Sequence, residues 1–145
     1  QAHKGKLLHI LVNLIKNAKE SLTASEASFG IIILRTEQKG DRVLFRVIDN
    51  GLGIAPDELT QIFSHGFTTK QTGHGFGLHA SANAANEMGG SMSVHSDGLG
   101  TGATFTLEVP QSPQRRAQPT IDAAAKAPAG DALSSEELPH TAPAR

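Results

Sequence analysis

Cysteine, tryptophan and tyrosine are all missing from the 145 residues. Without cysteine there is no disulfide framework, no thiolate-ligated metal or cluster and no cysteine nucleophile, and a cytosolic compartment is the expectation that follows. An excess of one charge is missing as well, because 13 Lys and Arg stand against 14 Asp and Glu for a formal net charge of −1. A dedicated nucleic-acid binder carries a basic patch or stripe, so neither nucleic acid nor direct membrane contact is expected. No apolar run approaches the ~18 residues of a membrane span, and no basic-then-apolar leader opens the chain. The length suits one domain at roughly 100 to 200 residues per domain. The chain does not begin with Met, and the expectation is a soluble piece of a longer protein.

Aromatic residues are scarce and unevenly placed. All six Phe lie before residue 110, whereas five of the seven Pro lie after it. From Gln111 to Arg145 the chain is rich in Ala, Pro, Ser and Gln without a sustained apolar period. Such a segment cannot bury enough surface to offset its ordering entropy. Two regions are therefore expected: a folded domain over 1–110 and a disordered Ala/Pro-rich tail or linker over 111–145.

Within the first region, Leu7, Leu8, Ile10, Leu11, Leu14, Ile15, Ala18 and Leu22 recur at three-and-four spacing, predicting an amphipathic helix from roughly residue 4 to 25. Ile31 to Thr36 and Val43 to Ile48 read as a hairpin turned at Gln38 to Asp41. A Pro-initiated helix is expected over Pro56 to Phe63. Irregular chain is expected over Gly66 to Gly77, followed by a helix from Leu78 to Met88 stopped by Gly89-Gly90. Strands over Ser91 to Ser96 and Ala103 to Val109 complete the pattern. The expected class is α+β: a two-layer sandwich, with helices on one face of a mixed, mostly antiparallel sheet.

Four segments carry chemistry. His9, Asn13 and Asn17 stand four apart, in one stripe facing away from most of the leucines. Asn is a poor helix former, so the stripe is either a solvated face or a source of amide oxygen for Mg²⁺, which takes hard oxygens and needs only one or two protein ligands beside substrate phosphates. Asp49-Asn50-Gly51-Leu52-Gly53-Ile54 follows a strand. Asn-Gly there suggests a hairpin turn, but a helix opens next, so the glycines are explained by backbone passing close to something bound. A carboxylate beside them can accept from an amino group such as that of adenine. Gly73-His74-Gly75-Phe76-Gly77-Leu78 places three glycines before a helix, as a phosphate cradle or as a flexible loop. Thr68, Thr69 and Lys70 offer hydroxyls and a cation nearby. Gly98 to Phe105 reads as a glycine-rich hairpin. A metal reading of His65, His74 and His79 is set aside, because no pair has the i, i+4 spacing with an acidic partner that zinc sites use.

The order and spacing of these segments resemble the histidine-kinase, gyrase and MutL ATPase superfamily, with its Bergerat ATP-binding fold. His9 to Ala18 resembles the N box, Asp49-x-Gly51-x-Gly53 the G1 box, Ile62 to Lys70 the F box and Gly73 to Leu78 the G2 box. Within the superfamily, the chain is similar to the catalytic ATP-binding domain of bacterial sensor histidine kinases, up to Pro110. The resemblance implies that Asn17 ligates Mg²⁺ with support from Asn13. It implies that Asp49 binds the adenine amino group in a pocket shaped by Gly51, Gly53 and Ile54, and that Phe63 anchors the lid. Lys70, with Thr68 and Thr69 beside it, and Gly73, His74, Gly75, Phe76, Gly77 and Leu78 would meet the phosphates. The candidate catalytic residues are thus Asn13, Asn17 and Lys70, and the cofactors ATP and Mg²⁺.

Two departures stand out. The glycine-threonine pair often found before the last strand is Gly102-Ala103, with Thr104 a possible substitute hydroxyl near adenine. Strands that usually precede the N-box helix are also missing. In the family's hydrolases a Glu four residues before the metal-binding Asn serves as base, and here that position is Asn13, which cannot take a proton. Transfer to histidine is therefore expected over hydrolysis. The acceptor, a His followed by Glu or Asp on a helical dimerisation domain, is expected on another part of the full-length protein, with a response regulator downstream. The fragment is expected to be monomeric and the full-length protein a homodimer. The alternatives are a non-catalytic ATP-binding module and a gyrase- or MutL-like ATPase.

Overall fold

A computed structural model describes residues 2–64, 66–67 and 77–111. The elements run α1 (Ala2–Ala24), β1 (Ile32–Lys39), β2 (Arg42–Asp49), α2 (Pro56–Leu59), α3 (Gly77–Glu87), β3 (Ser91–His95) and β4 (Ala103–Pro110). The strands form one sheet in the order β1-β2-β4-β3. Every pairing among the described strands is antiparallel, where a mixed sheet was expected. Two hairpins, joined through β2 and β4, account for that pattern. Between them, α2 and α3 carry the chain across the helical side.

Side-chain alternation along β2 and β4 separates the two faces of the sheet. Val47, Ala103, Phe105 and Leu107 point to the helical side, where Ile10, Leu14 and Ala18 of α1 and Ala85 of α3, with Met88 just beyond its end, close the core. Of the predicted apolar stripe of α1, Ile10, Leu14 and Ala18 form the buried line, whereas Leu8 and Ile15 are exposed. The core is thin, which suits so short a domain, and its edges are open: Leu8, Val12, Phe29 and Leu34 remain exposed. Lys6 pairs with Glu87 and ties α1 to α3 at the surface. Both as hydrogen-bond donor and as a charge, the ammonium holds the Glu87 carboxyl below its ordinary value.

Several boundaries differ from the sequence reading. β1 continues to Lys39 because Glu37, Gln38 and Lys39 pair with Leu44, Val43 and Arg42, leaving only Gly40 and Asp41 for the turn. α2 is a single turn. Beyond it Gln61 and Ser64 donate to carbonyls three residues back, and Thr60 Oγ1 bonds the Asp57 carbonyl, a local alternative to continued helix. α3 ends in a Schellman arrangement, with Gly89 donating to Asn86 and Gly90 to Ala85. The expected tail, beyond Gln111 itself, lies outside the described residues.

Replacement of the fully buried Leu14 by Ala should lower unfolding free energy by about 2–5 kcal/mol, as read from urea denaturation. Leu8→Ala, at an exposed position of the same helix, should stay within about 0.5 kcal/mol. Gly5 sits in α1 with open space where a Cβ would stand, so Gly5→Ala should stabilise by about 0.5–1 kcal/mol.

Candidate functional site

β2 delivers Asp49 to the helical side of the sheet, where it is 5% exposed. A buried carboxylate requires hydrogen-bond donors. The Gly51 amide donates to its Oδ1 at 2.9 Å and Ser21 Oγ at 3.2 Å. Ser21 Oγ also accepts from the Leu52 amide at 3.0 Å. Among the described residues Asp49 Oδ2 has no hydrogen-bond partner. Asn50 turns the other way, donating from Nδ2 to the Phe29 carbonyl at 2.9 Å and accepting from the Ile31 amide at 2.7 Å. It thereby pins the chain that leads into β1.

The loop after Asp49 and the loop between β3 and β4 bind each other. Gly100 donates to the Leu52 carbonyl at 2.6 Å and Gly102 to the Gly51 carbonyl at 3.1 Å. Ser96 Oγ accepts from the Ile54 amide at 3.0 Å and donates to the Gly102 carbonyl at 2.7 Å. Gly53 has φ +74°, and a Cβ there would stand 2.1 Å from the Gly98 carbonyl oxygen. A Cβ on Gly51 would stand 2.4 Å from Ser21 Oγ. A side chain at either glycine would thus meet the protein's own atoms, whatever else the loop holds. Gly51 makes room for Ser21 and Gly53 for the Gly98 backbone, and Gly98 to Gly102 is more than a hairpin turn. Ile54 is buried in the core.

On α1, His9 is exposed, while Asn13 and Asn17 are half-buried and do not form a solvated face. Asn13 Nδ2 donates to Ser81 Oγ of α3 at 2.9 Å. A Cβ on Gly77 would stand 2.9 Å from Asn13 Oδ1, so the first turn of α3 packs closely against this amide. The stripe continues by four residues to Ser21, which reaches Asp49. Asn13, Asn17 and Ser21 thus span about 12 Å of helix at 1.5 Å per residue. Phe63 stands edge-on to Phe105, with centroids 6.3 Å apart. Its carbonyl lies 3.0 Å from His79 Nδ1. Leu78 packs against the core.

Thr104 does not join this group. Asp49 pairs with Ala103 and Ile48 with Thr104, so alternation sends Thr104 to the opposite face of the sheet from Asp49. The hydroxyl absent at Ala103 is not replaced by its neighbour. Thr68, Thr69, Lys70, Gly73, His74, Gly75 and Phe76 lie outside the described residues, as does His65. Sequence reasoning missed Ser21, Ser81, Ser96 and Asn50. Ser21 alone had a visible signal, the four-residue continuation of the His9, Asn13, Asn17 stripe.

The donor set fits a nucleotide with a hard cation. A half-satisfied carboxylate at one end can take an amino group. Asn17 and Asn13 lie one and two turns back along α1, with Asn13 beside the start of α3. Among the described residues no group of three or more His, Cys, Asp or Glu side chains could hold a metal, and a carboxamide oxygen of this stripe is a hard donor of the kind Mg²⁺ takes beside substrate phosphates.

The profile of the histidine kinase-, DNA gyrase B- and HSP90-like ATPases matches residues 2–113. The sensor histidine kinase ZraS of Salmonella typhi is 40% identical over 111 residues, covering 76% of this chain and 23% of that protein. The sensor protein CitS of Halalkalibacterium halodurans is 39% identical over 106 residues, covering 72% of this chain and 20% of that protein. The chain thus spans less than a quarter of these curated relatives. The catalytic domain of the histidine kinase ThkA, in a nucleotide-free form, matches with a TM-score of 0.65 at 29% identity, covering 77% of this chain and 70% of that one. Full-length ShkA in complex with AMPPNP matches with a TM-score of 0.63 at 34% identity, covering 73% of this chain and 21% of that one.

Gly53→Ala combines a positive φ with a backbone clash, and should destabilise by more than the about 1–3 kcal/mol of a strained backbone alone. Ser21→Ala should lower stability by about 1–3 kcal/mol, since the Asp49 carboxylate loses a donor and the Leu52 amide an acceptor. Chemical denaturation of both variants measures these losses.

Proposed function

Since this chain belongs to the family of histidine kinase-, DNA gyrase B- and HSP90-like ATPases, we propose that it binds Mg-ATP and donates the γ-phosphoryl group to a histidine on a separate dimerisation domain. The observation that carries this reading is the Asp49 carboxylate, buried and bonded at Oδ1 by Ser21 and Gly51 while Oδ2 has no partner among the described residues. An acceptor held in that way selects an amino group over a carbonyl oxygen, hence adenine over guanine. In this reading Gly51, Gly53 and Ile54 shape the adenine end. Asn17 would hold the cation through its amide oxygen with support from Asn13, and Lys70 and the residues from Gly73 to Leu78 would contact the phosphates. When bound, Mg²⁺ would neutralise charge developing on the transferred group.

Asn13 decides between transfer and hydrolysis. A carboxamide cannot take a proton from water at neutral pH, and its Nδ2 is engaged by Ser81. An imidazole acceptor brings its own lone pair near neutral pH, so positioning and charge neutralisation suffice for transfer to it. None of the seven His of this chain is followed by Glu or Asp. We place the acceptor on another domain of a longer, homodimeric protein, with a response regulator as the next recipient and the cytoplasm as the compartment.

Titration calorimetry with a non-hydrolysable ATP analogue should give binding that EDTA abolishes. Asn17→Ala should remove the magnesium-dependent part, and unchanged affinity in that variant would exclude Asn17 from the cation site. Asp49→Asn should weaken binding by about 1.5–3 kcal/mol and narrow the preference for ATP over GTP. An unaltered preference would contradict adenine recognition by Asp49.

A further inference from the structure

His79 belongs to none of the nucleotide contacts proposed above, yet both of its ring nitrogens are engaged. Nδ1 lies 3.0 Å from the Phe63 carbonyl oxygen and Nε2 lies 3.1 Å from Asn83 Nδ2. A carbonyl only accepts, so Nδ1 carries the hydrogen. In the neutral ring Nε2 is then an acceptor, as the Asn83 amide requires. Phe63 is itself fixed, because its ring stands edge-on to the buried Phe105 of β4. Two residues before Phe105 on the same strand, Ala103 pairs with Asp49.

These contacts form a continuous path. From Asp49 it runs through β4 to Phe105, on to Phe63, and through the His79 ring into the first turn of α3. That turn begins at Gly77, against Asn13 Oδ1, and one turn later Ser81 accepts from Asn13 Nδ2. The start of α3 is therefore held from two sides, by Asn13 on α1 and by the Phe63 carbonyl through His79.

We propose that His79 is a positioning residue for the phosphate end of the nucleotide site: its Nδ1–H bond to Phe63 fixes the first turn of α3 relative to both Asp49 and Asn13. The inference rests on the nucleotide-binding reading. It concerns the spacing between the adenine end and the phosphate end, so it predicts an effect that grows with the phosphates of the ligand.

The test is calorimetric titration of the full chain and its variants with a non-hydrolysable ATP analogue in Mg²⁺, and separately with adenosine. His79→Ala should weaken the analogue about tenfold, the effect of one lost hydrogen bond, and leave adenosine unchanged. His79→Asn, whose Nδ2 can occupy the place of Nδ1, should restore most of the loss. Nitrogen-15 NMR of the wild-type imidazole should show the hydrogen on Nδ1. Equal losses for adenosine and the analogue, or no loss for either, would overturn the positioning role. So would an imidazole protonated on Nε2 alone. If His79→Ala does not fold, the nitrogen-15 spectrum of the wild-type imidazole still decides, because a hydrogen absent from Nδ1 would overturn the role. A folded wild-type chain that binds neither ligand would instead overturn the nucleotide reading and this inference with it.

Discussion

A carboxylate buried at the end of β2 constrains everything around it. Asp49 can stay there only if donors reach it, and the donors come from two directions: a hydroxyl from the third residue before α1 finishes its last turns, and an amide from the loop that follows the strand. Both must arrive without intervening side chains. Ser21 is small, and at Gly51 a Cβ would collide with that serine. The next loop is drawn in by the same requirement, because Gly102 donates to the Gly51 carbonyl and Gly100 to the Leu52 carbonyl. Three separate stretches of chain thus meet at one acid.

α1 is the element that links this acid to the rest. One face of the helix presents Ile10, Leu14 and Ala18 to the sheet. An adjoining stripe presents Asn13, Asn17 and Ser21, four residues apart, along the side that meets α3 and the end of β2. Burial of the first face sets the rotation of the helix and hence the direction in which the polar stripe points. The hydrophobic core and the site therefore cannot be varied independently: a change that rotates α1 would carry Ser21 away from Asp49 and Asn13 away from Ser81 together.

Much of this was legible from residues alone. The heptad-like spacing from Leu7 to Leu22 is a local signal, as is the β-branched character of the first hairpin, and both are present in the structure with shifted ends. The four polar and glycine segments stand in an order that permits a family resemblance before any coordinates. What could not be read depends on contacts between distant residues. Nothing local says that Gly53 must avoid the Gly98 carbonyl, that Ser96 closes the loop at Ile54, or that Asn13 bonds Ser81 across 68 positions. Thr104 illustrates the converse. Its sequence neighbourhood suggests a hydroxyl near the acid, but the register with Ile48 puts it on the other face, and a one-residue offset in a strand reverses direction completely. The limits of α2 follow the same rule, since Thr60 and the turns after it override the apolar pattern that continues to Phe63.

The placement of Asn13 bears directly on what such a site does with a triphosphate. A group that activates water must be able to accept its proton, whereas a carboxamide offers two fixed donors and an acceptor that stays unprotonated. Here one donor is already given to Ser81, and the end of the amide lies against Gly77. An amide locked in that way can orient neighbours but cannot alternate between protonation states. A hydrolase needs a base at such a position, and the proposed transfer would leave deprotonation to whichever acceptor is brought to the site. An imidazole needs none. In the proposed reading, selection of histidine over water would follow from the chemistry the acceptor carries and from the proton acceptor that position 13 lacks, with the burial of Asp49 bearing only on which nucleotide is held.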